Sequence, residues 1–445
     1  MRADLSILFS LIMFLFYCET YGTNFTIYKE NGVSFLKKDG TDFFIKGIGG
    51  ISRMDLAASM GANAFRTWDA DVELTMKQLE EGKKYGMYMM MGIWLSHDIN
   101  DYSNNDYKNA QRTRIRKLVE AFRDHPNMMI WCLGNELNLE GADVKETWEF
   151  VNELAVMIKE LDTNHPVATV ISHSENAVNN IAKYAPSVDV IGFNTYGAIY
   201  AMKELFNNSI YEGPYIVTEW GPNGHWENGN TLWGAPIEPS SEEKRIEYEK
   251  RYTLFIDNND RCLGSFVFLW GQKQERTPTW YSLFVEKGVD GLPLQGELCP
   301  PVESMEKVWS GNEPLKKAPV VEYVTIAGLS DQGAIMTSEN RDVKASVYVS
   351  ESNGDELMYV WELLKEATEL GIGGSYEPRP ERIGIVLTGL SMEQEIQLPA
   401  EPGNYRLYAY VLNDKGRVGT ANIPFQIKNL LSNENNNGKM SFNDE

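Results

Sequence analysis

Cysteine is scarce, four residues in 445. Cys132, Cys262 and Cys299 are an odd set without metal-ligand spacing, and Cys18 lies beside the N-terminal apolar run. No disulfide framework follows from such a set, and Cys132 and Cys262, in apolar runs, read as inert core thiols. Positive charge is short too, with 41 Lys and Arg against 63 Asp and Glu, a formal net charge of −22. That balance argues against nucleic acid, whose phosphates would be repelled, and equally against a polyanionic substrate or an acidic membrane surface. A neutral partner suits it. No Gly-x-Gly-x-x-Gly follows any strand-like run, which counts against a dinucleotide fold. Neither a metal nor an organic cofactor is expected.

Long hydrophobic runs are confined to the start, "MRADLSILFSLIMFLFYCETYG". Leu5 to Tyr17 is thirteen residues, interrupted only by Ser. That is short for a bilayer span and fits the h-region of an export signal over residues 1–22. The chain is therefore expected to be secreted, periplasmic or at the cell surface. Cys18, directly after the run, leaves two readings open: a lipid anchor, or plain cleavage with Phe16-Tyr17 as an unusually bulky approach.

What is present is apolar and aromatic: 43% hydrophobic residues, with 11 Trp and 22 Tyr. The rings either pack the interior or line a groove. After the signal, eight short runs alternate with helical patterns: "FFIKGIGG" (43–50), "AFRTW" (64–68), "MYMMMGIWL" (87–95), "MMIWCLGNELN" (128–138), "VATVISH" (167–173), "VDVIGFNTYG" (188–197), "YIVTEWGP" (215–222) and "CLGSFVFLWG" (262–271). They are continuously hydrophobic, the mark of strands buried on both faces of a parallel sheet. Eight strand–helix units point to an α/β fold, a closed (β/α)8 TIM barrel over residues 23–311. A last helix at 300–309 has Pro301 near its start and Gly311 past its end.

Residues 312–319 read as a linker. Beyond them the pattern becomes short alternating strands, 343–350, 357–363, 382–390 and 405–412, with "NDKG" as a hairpin turn. This is expected to be an immunoglobulin-like β-sandwich over 320–428 with Trp361 in its core, supporting the barrel rather than capturing glycan. The tail 429–445 is polar and expected to be disordered.

In such barrels the C-terminal strand ends converge on one face, where catalytic groups sit. Those ends carry Arg66 and Trp68, Trp94 and His97, Asn135 and Glu136, His173, Asn194 and Tyr196, Glu219 and Trp220, and Trp270. Only the fourth and seventh barrel strands end on Glu. Two carboxylates across a cleft lined with aromatics suit glycoside cleavage: one holds a proton for the leaving oxygen, the other stays ionised. Arg66 is placed to keep one of them charged, and Tyr196 to hydrogen-bond the same group. Trp68, Trp94, His97, His173 and Trp220 are rim candidates, and Trp270 is the expected sugar platform.

"GNELN" and "VTEWG" resemble the acid/base and nucleophile strands of retaining glycoside hydrolases of clan A. "FIKGIGG", "GANAFRTW" and "VWSGNEP" resemble the family 2 type of barrel. The resemblance implies Glu136 as general acid/base and Glu219 as nucleophile. It further implies Asn135 on the sugar's 2-hydroxyl, with Arg66 and Tyr196 positioning Glu219. Family 2 enzymes carry two further domains before the barrel, which here begins directly after the signal. A barrel with one Ig-like domain is more similar to glycoside hydrolase family 158, and that likeness implies an endo-β-1,3-glucanase acting as a monomer on a neutral β-linked polysaccharide or oligosaccharide. Two other readings are an exo-β-glycosidase of family 2 type (β-galactosidase or β-mannosidase) and a non-catalytic carbohydrate-binding surface protein. Retention requires the carboxyls to lie about 5–5.5 Å apart.

Overall fold

The computed structural model describes residues 22–428 except 258, 331–333, 338–340 and 372–374. The segment Leu5–Tyr17, Cys18 and the tail from 429 lie outside the described residues. The first elements are a hairpin not anticipated above, β1 (Phe25–Glu30) and β2 (Val33–Lys38), extended by the short β3 (Thr41–Asp42). Its turn is Asn31-Gly32, both at positive φ (52° and 87°), the backbone a two-residue type I′ turn requires. Alternation along the two strands buries Phe25 and Leu36 against the inner face of the barrel. The Phe25 amide donates to the Asn164 carbonyl and the Ser34 amide to that of Asp260. Both acceptors lie just before barrel strands, so the hairpin closes the N-terminal floor.

The barrel strands are β4 (Ile45–Gly49), β5 (Ala64–Arg66), β6 (Tyr88–Ile93), β7 (Met128–Leu133), β8 (Val167–Ser172), β9 (Val190–Asn194), β10 (Tyr215–Trp220) and β11 (Cys262–Val267). They close in chain order, β11 returning to β4, with parallel pairing throughout. Each matches one of the eight apolar runs. Strand β7 shows why the runs lack alternation. Met129, Ile130 and Cys132 fill the barrel interior, while Met128, Trp131 and Leu133 face the surrounding helices; both faces are dry, so both are apolar. Helices 72–84, 105–122, 145–161, 175–184 and 241–251, with shorter ones at 54–59 and 202–208, form the outer layer. Helix Pro301–Ser310 completes it and ends on Gly311 in the left-handed conformation, φ 75°.

The C-terminal β-sandwich pairs β12 (Val320–Ile326), β14 (Asp342–Glu351) and β17 (Glu393–Gln397) in one sheet. The other holds β13 (Ala334–Thr337), β15 (Leu357–Lys365), β16 (Leu387–Gly389), β18 (Gly403–Asn413) and β19 (Val418–Lys428). Trp361 is buried between them. The run 382–390 is a strand only over Leu387–Gly389. Upstream, Arg379 and Arg382 both reach the buried Glu362 at 2.6 Å, and the segment also bonds to β15 through the Lys365 amide to the Glu381 carbonyl and the Ile383 amide to the Leu363 carbonyl.

The sandwich is bonded to the barrel. Val285, Leu292, Leu294 and Cys299 share an apolar cluster with Val360, Leu364, Tyr408 and Tyr410. Arg406 Nη2 donates to the Pro236 carbonyl (2.7 Å) and Asn422 Nδ2 to Glu238 Oε2 (2.6 Å). The Arg276 amide donates to Glu377 Oε2 (2.6 Å).

Candidate active site

Glu219 sits near the end of β10, where the pairing with β9 slips between Val217 and Glu219. Such a bulge re-aims side chains, and here Glu219 meets a ring of donors. Arg66 Nη1 donates to its Oε1 at 2.9 Å, Trp68 Nε1 to the same oxygen at 2.7 Å, and the Tyr196 hydroxyl to Oε2 at 3.0 Å. The carboxylate is buried, 6% exposed, and Arg66 is 1% exposed; a buried charge persists only when paired in this way. Trp68 therefore contacts the carboxylate through its ring nitrogen. Gly92 makes room for it, because a Cβ there would lie 2.6 Å from the Trp68 backbone.

Arg66 also organises the neighbouring ends. Its Nη1 donates to the Thr218 carbonyl (3.0 Å) and its Nη2 to Asn135 Oδ1 (2.6 Å). Asn194 Nδ2 donates to the same Asn135 oxygen (3.2 Å), and the Thr218 hydroxyl to Asn194 Oδ1 (2.9 Å). Residues from β5, β9 and β10 and from the turn after β7 thus form one buried network held by charge-assisted bonds, with Arg66 Nε left without a partner among the described residues.

Glu136 follows Asn135 with φ 53° after Gly134 at φ 75°. A left-handed backbone in a non-glycine residue is strained and clusters at functional sites. Its amide is held by the Val170 carbonyl at 2.8 Å. Burial, and next the charge of Glu219, push the Glu136 carboxyl up to about 7. Glu275, in the loop after β11, acts in the same direction; its own carboxyl is raised, first by burial, despite its pairing with Lys273. Two carboxyls with different environments, one ringed by donors and one holding its proton near neutrality, is the arrangement acid/base division needs.

The remaining expected residues divide. His97 Nε2 lies 2.8 Å from the Asn135 carbonyl, and its ring stacks on Trp94, which is 37% exposed. His173 is half-buried and burial lowers its pKa. Trp220 and Trp270 do not line the cleft. Both are fully buried: Trp220 packs on Tyr248 and Tyr252, Trp270 on Phe284 and Trp309. Along β10 neighbouring side chains face opposite ways, so Trp220 turns to the helices while Glu219 turns inward. Trp270 leaves its strand end toward the closing helix, and neither ring offers a sugar a face.

Beside Glu219 a buried aromatic cluster of Tyr196, Phe268, Trp280 and Tyr281, with Trp68 packed against it, backs the site. Phe268, Trp280, Tyr281 and Glu275 were missed. The Trp-Tyr pair of "RTPTWYSLF" hints at two of them, Trp280 and Tyr281. Glu227 was missed as well; it accepts the amides of Gly197, Ala198 and Gly224 and ties the loops after β9 and β10 together. Among the described residues, no group of three His, Cys, Asp or Glu is placed to hold a metal ion.

Residues 54–232 match the family described as "Glycosyl hydrolases family 2, TIM barrel domain". Mannan endo-1,4-beta-mannosidase F of Aspergillus fumigatus is 25% identical over 194 residues, 43% of this chain and 41% of the relative. A probable mannan endo-1,4-beta-mannosidase F of Neosartorya fischeri is 32% identical over 68 residues, 15% of each chain. The chain thus spans well under half the length of these curated relatives. Among solved structures, a GH2 beta-galacturonidase from Eisenbergiella tayi bound to galacturonate superposes with TM-score 0.49 at 18% identity, covering 65% of this chain and 55% of that one. Arg66, Asn135, Glu136, Asn194, Tyr196 and Glu219 all lie within the segment that is similar to that family's barrel domain.

Proposed function

We propose that the protein is an exported, retaining β-glycoside hydrolase that cuts within a neutral β-linked polysaccharide. The observation that carries this reading is the pairing of Glu219, held by Arg66, Trp68 and Tyr196, with Glu136, whose proton is retained to about 7. Glu219 attacks the anomeric carbon while Glu136 gives its proton to the departing oxygen. Glu136 then takes a proton from the water that releases the sugar from Glu219. Asn135 presents Oδ1 to Arg66 and Asn194, which leaves its Nδ2 end for a sugar hydroxyl.

The preferred substrate is a β-1,3-glucan cut internally, a neutral polymer in keeping with the acidic chain. A β-1,4-mannan is the second reading, supported by the similarity to the Aspergillus mannosidases. Incubating the purified protein with laminarin, mixed-linkage glucan and mannan and sizing the products separates the two. Early mixed oligosaccharides from laminarin are expected, with the β-anomer released first. Single sugars from chain ends would overturn internal cutting, an α-anomer would overturn retention, and inertness toward all three polymers would overturn the reading as a whole.

A further inference from the structure

The loop after β10 leaves the candidate active site and runs to the sandwich. Between them lies a cavity of about 280 Å³, just below the roughly 300–1,000 Å³ of small-molecule sites. Trp226, Trp233 and Arg276 line it from the barrel, and Thr368, Leu370 and Asn404 from the sandwich. It adjoins the cleavage centre: the Trp226 ring meets Tyr196 edge-on at 5.7 Å, and the Tyr196 hydroxyl holds Glu219.

Its polar groups are unevenly satisfied. Trp233 Nε1 and Arg276 Nη1 are buried, and neither has a hydrogen-bond partner among the described residues. Native structures leave few such donors orphaned, and each calls for an explanation. Arg276 is otherwise fixed: its amide is bonded to Glu377, its Nε donates to His225 Nδ1 at 3.3 Å, and Glu377 Oε1 balances its charge at 3.7 Å. Glu366, on the opposite wall, is neutralised by Arg406 at 2.8 Å. Both unpartnered donors belong to side chains that line the cavity, and its charged groups Arg276 and Glu366 are paired. At its edge Trp226 is 60% exposed, an apolar face of the kind that marks a binding groove.

We propose that this cavity is a distal sugar-binding subsite, built jointly by barrel and sandwich. It takes a neutral pyranose unit of the substrate chain, stacked on Trp226, with its oxygens accepting from Trp233 Nε1 and Arg276 Nη1. The inference rests on the glycan-cleaving reading above. It makes the sandwich one wall of the substrate cleft, and it ties efficient cleavage to chains long enough to reach that wall.

The test uses the full chain and Trp233→Phe, which removes the donor and keeps a ring, with Trp226→Ala alongside. β-1,3-Gluco- and β-1,4-manno-oligosaccharides of two to six units are titrated calorimetrically. Hydrolysis of the hexasaccharide is compared with that of an aryl β-monoglycoside. Losing one hydrogen bond should weaken hexasaccharide binding about 3- to 10-fold in Trp233→Phe. Trp226→Ala should lose at least as much, and kcat/KM should fall by more on the long substrate than on the short one. Equal losses on both lengths, or no loss in either variant, would overturn the subsite. Length-dependent binding without hydrolysis would sink the catalytic reading alone, whereas a native chain that binds no oligosaccharide would sink both.

Discussion

Replacing Glu136 by Gln removes one titrating group and keeps its size and amide backbone. In the native protein the carboxyl is raised from 4.5 to about 7, chiefly by burial and then by Glu219. A gap of that size penalises the ionised form in the folded state by about 3 kcal/mol. Below pH 4.5 folded and unfolded chains both carry the proton, and the group costs nothing. Between 4.5 and 7 the unfolded chain releases it while the folded chain keeps it, so native stability declines as pH rises. Above about 7 the whole penalty is present. Gln has nothing to release. Urea unfolding followed by tryptophan fluorescence at pH 4.5 and pH 8 should therefore show the variant gaining on the native protein by about 3 kcal/mol between the two conditions. Other titrating groups contribute to both proteins and cancel in this difference. The kinetic counterpart is an alkaline limb near pH 7 in kcat/KM, where the general acid loses its proton. An identical pH response of native protein and variant would refute the assignment of Glu136 as a carboxyl protonated near neutrality.

Tyr196→Phe removes one of three donors to Glu219 and should cost about 10- to 100-fold in kcat/KM, the worth of a hydrogen bond to a charged group; a loss under twofold in steady-state assays would show that Tyr196 does not position the nucleophile. Glu219→Gln should abolish turnover while an oligosaccharide still binds in calorimetry, and a fully active variant would exclude it as nucleophile. Trp270→Ala should cost about 3–5 kcal/mol in chemical denaturation, because it opens a cavity between barrel and closing helix; a loss confined to sugar affinity would restore it as a platform. Glu238→Ala strands Lys244, bonded to Glu238 at 2.5 Å in the interior, and should destabilise by about 3–5 kcal/mol, against an expected near-native midpoint if the pair were solvent-screened.

How much of this the sequence disclosed follows from burial. The eight barrel strands were readable because both faces are dry and the residues of β7 report it without interruption. The floor hairpin was overlooked although Asn31-Gly32 is a strong turn signal, since Lys29, Glu30, Lys37 and Lys38 fall on both faces and leave neither an unbroken apolar run nor a clean alternation. Glu136, Asn135, Arg66, Asn194, Tyr196 and Glu219 were legible as strand ends that break an apolar run with a polar group. Trp220 and Trp270 were misassigned because position at a strand end was given more weight than side-chain direction. Period two along β10 turns Trp220 away from whichever face Glu219 occupies.

The loop after β11 was illegible for a different reason. Nothing in the sequence distinguishes Lys273, Glu275 and Arg276 from solvated charges, yet Glu275 is raised by burial and Arg276 is pinned through its amide to Glu377, 101 positions away. No local pattern could disclose that partner, because it belongs to the sandwich, whose own strands gave no sign of glycan contact. A buried Glu377, 2% exposed, with both oxygens occupied by the amides of Arg276 and Gly371, is costly to place and serves to fix a loop from outside the barrel. The same loop brings Glu275 close enough to raise Glu136. Sandwich and Glu136 are therefore linked through the contacts of Arg276 with Glu377. Glu377→Ala should loosen the loop and move the alkaline limb of the pH profile toward lower pH, since a displaced Glu275 no longer favours the proton on Glu136; an unmoved limb with unaltered oligosaccharide affinity would mean that the sandwich only props the barrel.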